Sequence, residues 1–365
     1  MVDGLGATQS MTRSGFFWRA ALALLIGAVS GVLAAAIGLP LPWMLGPMIG
    51  TTIAALARAP IVAPLGLRTM FLPILGVMLG SSVNASLLAA IGQWTVTLAL
   101  LIPFGVTAAT ASYWLYRRIG RYDPVTSFFS AMPGGLNDMV IMGGAEGGDE
   151  KRIAMAHAIR ILAVILLGVL FFGLALGVTS RDAPPPVLGL DQLTVQDWLI
   201  LGGCALVGTP LAQLLRLPAP VIVGPMLLSA AVHVGGLVAV GPPTLIVIVA
   251  QVVIGTLIGA RFVGTAIGQV GRDMLLGFGS SLLMIAVAVL FAVVVNRLTG
   301  TEVSHAFLAY SPGGLTEMSL LALAMGQEVA YVSVMHVARL TLVVFAAPLA
   351  LRWLRPRRKF PASGE

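Results

Sequence analysis

Pro133-Gly134-Gly135-Leu136-Asn137-Asp138 recurs as Pro312-Gly313-Gly314-Leu315-Thr316-Glu317, 179 positions later. Each copy sets helix breakers and a carboxylate in an apolar background. Each is followed by His-x-x-Arg, as His157 and Arg160 and then as His336 and Arg339. Leu39-Pro40-Leu41-Pro42 and Gly46-Pro47-Met48 likewise return as Leu217-Pro218-Ala219-Pro220 and Gly224-Pro225-Met226. The spacing predicts a duplicated unit of about 160 residues, far above the period of about 20–50 residues expected of a solenoid. Long halves in a hydrophobic chain are the pattern of repeat-built transporters.

The chain is 58% hydrophobic and 10% charged, with a mean hydropathy of +1.00. A soluble domain carries about 25% charged residues, so this composition cannot cover a water-facing surface. Apolar runs of bilayer-spanning length follow one another, and the short alternating strands of a β-barrel are not seen. The fold class expected is an all-α polytopic membrane protein. The single cysteine, Cys204, excludes an internal disulfide. The net charge of +7 resides in short loops and the tail from Arg352 to Lys359, where it orients a membrane protein. Nucleic acid is not an expected partner; the lipid bilayer is.

The reading divides the chain into an amino-terminal tail (1–19), a membrane repeat (20–178), a linker (179–197), a second repeat (198–351) and a basic tail (352–365). Expected spans are 20–39, 42–58, 69–91, 94–116 and 153–177, then 198–215, 219–240, 243–261, 274–296 and 329–351. The linker holds Pro184-Pro185-Pro186 and should be extended. The Pro-Gly-Gly stretches, 125–147 and 304–326, either cross the membrane or dip in and return. If they return, only Arg181 and Arg297 lie outside. If they cross, Lys151, Arg152, Arg216, Arg261 and Arg272 fall on the outer side instead, and Arg181 and Arg297 move inside. Positive-inside bias favours return. That gives ten spans, five per half, hence an inverted-topology repeat with both termini and the basic tail in the cytoplasm.

Non-helical backbone at membrane depth survives only inside protein or beside water. Pro133, Gly134, Gly135, Pro312, Gly313 and Gly314 would expose carbonyls and amides there. A helix restarting after the break points its positive end at Asp138 or Glu317. The acids are candidates to bind a coupling cation or to shuttle protons, with Asn137 and Thr316 as neutral oxygen ligands. Alternatively, the motif is a water-exposed loop and the acids are helix caps. Arg160 and Arg339, deep in apolar helices, need partners: an anionic substrate group, or the motif acids. His157 and His336, one turn earlier, are proton relays or packing histidines. Pro47 and Pro225 read mainly as kinks, and Gly76-x-x-x-Gly80 and Gly255-x-x-x-Gly259 as close helix packing. Asn84, Gln93 and Gln269 are weaker candidates for lining a cavity.

With both Pro-Gly-Gly-Leu-[Asn/Thr]-[Asp/Glu]-Met motifs, the paired Pro-x-Pro and the paired Gly-Pro-Met, the chain resembles the AbrB duplication family. These are Gram-negative inner-membrane proteins, distinct from the soluble Bacillus DNA-binding protein of that name. The resemblance covers about residues 20–352 and implies a multi-pass protein of the bacterial inner membrane. The family carries two labels, regulator of gene expression and ammonia monooxygenase. The four histidines show no metal-ligand spacing, and no nucleotide-binding or nucleophile motif is present. The expectation is a non-enzyme: a secondary transporter without a cofactor, coupled to H+ or Na+, whose small-molecule or ion substrate the sequence does not name. A membrane-embedded sensor that affects transcription indirectly is the alternative, and a monooxygenase ranks last. The oligomeric state is left open, a homodimer among the options.

Overall fold

The computed structural model describes residues 13–39, 41–83, 91–170, 188–264 and 267–354. Among them are fourteen α-helices and no strand. The first seven are α1 (Arg13–Ala36), α2 (Pro42–Leu56), α3 (Leu67–Ser81), α4 (Thr95–Trp114), α5 (Pro124–Ala131), α6 (Leu136–Ala145) and α7 (Glu150–Leu170). The next seven are α8 (Val195–Leu214), α9 (Pro220–Val234), α10 (Thr244–Gly259), α11 (Ile267–Thr299), α12 (Val303–Tyr310), α13 (Leu315–Ala324) and α14 (Val329–Leu354).

Local sequence sets the ends. Pro42 and Pro220 open α2 and α9, where a missing N–H costs nothing. Thr194 and Asp197 form a reciprocal capping box on α8. Gly235 and Gly236 (φ 70°) stop α9 at Val234, short of the expected 240. The first helix begins at Arg13, inside the segment read as a tail. Pro47 and Pro225 lie within single continuous helices.

Among the described residues, six segments are long and apolar enough to cross a membrane: Ser14–Ala36, Thr95–Ile119, Val195–Leu214, Thr244–Phe262, Gly271–Thr299 and Val329–Leu351. α2, α3 and α9 have 15 residues each, about 22 Å of helix against a hydrocarbon core of about 30 Å. α7 has the length, at 21 residues, but carries Glu150, Lys151, Arg152 and Arg160. Expected spans 69–91 and 153–177, the linker prolines and the basic tail fall partly or wholly outside the described residues. Exposed apolar side chains line α1 (Leu25, Val29, Val32), α4 (Ile102, Val106), α8 (Leu199, Leu206) and α11 (Leu282, Leu290). Four helices greasy on their outer faces fit lipid, not water.

Inside, α2 packs between α1 and α10, and α9 between α8 and α3. A Cβ on Gly255 or Gly259 would stand 2.4 Å from the Met44 or Met48 carbonyl oxygen. One on Gly76 or Gly80 would stand 2.6 Å or 2.3 Å from that of Ile222 or Met226. Each Gly-x-x-x-Gly thus seats the other half's Gly-Pro-Met helix, backbone on backbone. The residue order in these contacts makes α10 run parallel to α2, and α3 parallel to α9. α3 and α10 run opposite ways: a Cβ on Gly241, just before α10, would lie 2.9 Å from Ser81 Oγ at the end of α3. At their other ends, Arg68 and Arg261 line one cavity.

Candidate functional site

α5 and α6 form a helix–break–helix hairpin around Met132-Pro133-Gly134-Gly135. Asp123 caps it, accepting from the Thr126 N–H at 2.9 Å. Burial raises this carboxyl, but hydrogen bonds centred on Thr126 prevail and hold it below the ordinary aspartate range. Thr126 Oγ1 accepts from the Asp149 N–H at 2.8 Å, so the start of the hairpin meets the start of α7. Arg152 lies 4.7 Å above the Tyr122 ring and 3.5 Å from Asp273. Arg272 donates to the Ile119 carbonyl at 2.7 Å. The turns near 120, 150 and 272 therefore share one end of the bundle.

Proline 133 has no N–H, so the Phe129 carbonyl loses its helical donor. His157 Nε2–H supplies one at 2.8 Å, which leaves Nδ1 to accept from the Arg160 guanidinium at 2.7 Å. Arg160 also donates to the carbonyls of Met132 (2.7 Å) and Gly134 (2.9 Å). Arg339 does the same for the second break, donating to Ser311 and, at 2.7 Å, to Gly313. One guanidinium fork thus satisfies two carbonyls that the break has freed. Among the described residues, no ion pair joins either arginine to Asp138 or Glu317. His336 departs from the pattern: Nδ1–H donates to the Val332 carbonyl at 2.9 Å, and the buried Nε2 has no hydrogen bond.

The two breaks are neighbours. Arg160 and Arg339 are close enough for their charges to act on each other. A Cβ on Gly134 would come within 2.9 Å of Val343 on α14. Each acid folds back over its own break: a Cβ on Gly135 would meet Asp138 Oδ2 at 2.7 Å, and one on Gly314 would meet Glu317 Oε2 at 1.9 Å. The carboxylate occupies the space beside that glycine, at the positive end of its own helix. The surroundings differ. Asn137 and Asp138 are exposed, whereas Thr316 and Glu317 are 7% and 9% exposed.

Thr316 and Glu317 line a cavity of about 40 Å³ with Leu65, Arg68, Leu72, Ile254, Leu257, Ile258 and Arg261. Arg68 acts on the charges of both Asp138 and Glu317, and Arg261 on that of Glu317. Arg68 and Arg261 stand at the ends of apolar runs, where residue type and spacing give no sign that they turn inward. Asn84 lies outside the described residues, as do the side chains of Gln93 and Gln269. Among the described residues, no group of three His, Cys, Asp or Glu side chains is arranged to hold a metal ion.

No solved structure matches the chain. It is 28% identical over 358 residues to the uncharacterized protein YhjN of Bacillus subtilis (strain 168), covering 90% of this chain and 91% of that one. It is 26% identical over 323 residues to a protein of Escherichia coli (strain K12) whose name proposes a regulator, AbrB, covering 87% and 91%. The family model described as "Transition state regulatory protein AbrB" matches residues 43–355, a stretch that holds both Gly-Pro-Met helices, both hairpins and both capping arginines, and the chain belongs to that family.

Proposed function

We propose that this protein is an ion-coupled secondary transporter of the bacterial inner membrane, built from two inverted halves, and not an enzyme. Helix directions support the inversion. α2 runs with α10, α10 against α3, and α3 with α9, so α2 and α9, the same position in each half, point opposite ways. The packing is reciprocal: α1 on α10 and α8 on α3, α7 on α11 and α14 on α4. The closed base of the first hairpin supports re-entry over crossing, and Arg58, Arg121, Arg152 and Arg272 then share the cytoplasmic side with both termini.

The observation that carries the reading is the meeting of the two breaks, with Arg68 in electrostatic reach of both motif acids. Broken helices from inverted halves that meet in the bundle interior are the usual substrate and ion site of such transporters. In this reading Asp138 and Glu317 are the coupling groups, and Arg160 and Arg339 hold the backbone open around them. The test is uptake of a labelled small-metabolite mixture into proteoliposomes under an inward H+ or Na+ gradient. Wild type accumulates at least one solute, and the double variant Asp138→Asn, Glu317→Gln accumulates none. A solute that raises the unfolding temperature of wild type but never accumulates would replace the transporter by a sensor. That is the sense in which the Escherichia coli relative's name would apply.

A further inference from the structure

We propose that Arg68 and Arg261 bind a small monocarboxylate anion, and that Glu317 takes up a proton as the anion binds. The inference deepens the transporter reading and rests on it for its physiological meaning. Arg68 sits at the start of α3 and Arg261 just after α10, and both line the cavity that reaches Thr316 and Glu317. Their charges act on each other, and an anion held between the two guanidinium groups would relieve that repulsion. Glu317 is near both, yet forms no ion pair with either among the described residues. Arg261 Nη1 is a buried donor without a hydrogen bond.

Charge balance supplies the coupling. Glu317 is the acid that shares the cavity with the two arginines, whereas Asp138 lies across Arg68 and is exposed. An anion held by Arg68 and Arg261 therefore lies beside the enclosed Glu317, and two neighbouring negative charges there repel. A proton on Glu317 removes that repulsion, so anion and proton bind best together. The planar forks of two arginines suit the two oxygens of a carboxylate better than a spherical ion. Thr316 Oγ1 adds a donor, and about 40 Å³ admits only a few heavy atoms. Of the elements packed against α13, α14 carries Tyr331, His336 and Arg339, α12 carries His305 and Tyr310, and α3 carries Arg68; on α7, His157 feels Arg261. His157, His336 and Arg339 are engaged with backbone carbonyls.

The experiment follows the unfolding temperature of the purified full-length protein in detergent against acetate, with chloride as control, at constant ionic strength from pH 5 to 8. Wild type should be stabilised by acetate well above chloride, and the apparent affinity should tighten by up to about tenfold per pH unit as pH falls through the Glu317 titration. Arg68→Lys and Arg261→Lys, which keep the charge but lose the fork, should weaken acetate at least tenfold. Glu317→Gln should bind acetate with little pH dependence. Equal responses to acetate and chloride, unaltered affinity in both lysine variants, or full pH dependence in Glu317→Gln would each overturn the proposal. Proton-linked acetate binding without uptake of any solute leaves this site standing and removes the transporter. Uptake of a solute indifferent to acetate and to Arg261→Lys does the reverse.

Discussion

The two Pro-Gly-Gly hairpins share their backbone solution and differ in their surroundings. In both, an arginine fork from the following helix holds two carbonyls freed by the break. In both, the acid three residues past the second glycine folds back over it. The first acid then faces outward, whereas the second is enclosed beside Arg68 and Arg261. The scaffold of the break is duplicated and the chemistry at its tip is not. On the proposed transporter reading, the enclosed acid selects and couples, and the exposed one assists it electrostatically.

Removal of the forks should break the likeness most strongly. Arg339→Leu strands two fully buried carbonyls, at about 1–3 kcal/mol each, so its cost should be about 4 kcal/mol. Arg160→Leu should cost about half of that, because Met132 is partly exposed and water can replace one bond. Denaturation midpoints of the two variants in mixed micelles measure the difference. On uptake, Glu317→Gln should lose about 100-fold, about 2.7 kcal/mol. Asp138→Asn should lose about tenfold at most. Equal losses would mean that the difference in burial has no functional meaning.

The interlocking glycines should instead show the likeness. Gly259→Ala and Gly80→Ala drive a methyl to 2.4 Å and 2.3 Å from a carbonyl oxygen of the other half, and each should cost about 1–3 kcal/mol. Near-equal destabilisation supports a reciprocal scaffold, and a large inequality breaks it. The smallest effect concerns the histidines. His157→Leu leaves the Phe129 carbonyl without its donor, for about 1–2 kcal/mol. His336→Leu should cost less than about 1 kcal/mol, since its Nδ1 hydrogen bond goes to a carbonyl that α14 already serves.

Much of this was legible in the chain. The paired breaks, the acids in the first turn after them and the packing role of Gly76, Gly80, Gly255 and Gly259 follow from spacing and residue type. The order of helices was also recoverable, because proline and glycine mark their ends. Helix lengths were less so. An apolar run such as 219–240 continues past Val234, where backbone geometry and not hydropathy ends the helix. The partners of Arg160 and Arg339 were hidden because they are carbonyls, which every residue carries. The roles of Arg68 and Arg261 are not legible for another reason: a long side chain at a helix end can reach water or the interior, and only the tertiary packing decides which.

Inverted halves require that each hairpin return to the side it came from. Single cysteines at Arg118, Glu146 and Glu328, in a Cys204→Ser background, test it with an impermeant maleimide on intact cells and on inverted vesicles. Arg118→Cys and Glu146→Cys should label only from the cytoplasmic face and Glu328→Cys only from the outside. Labelling of Glu146→Cys from the face opposite to Arg118→Cys would make the hairpin a crossing and contradict the inversion.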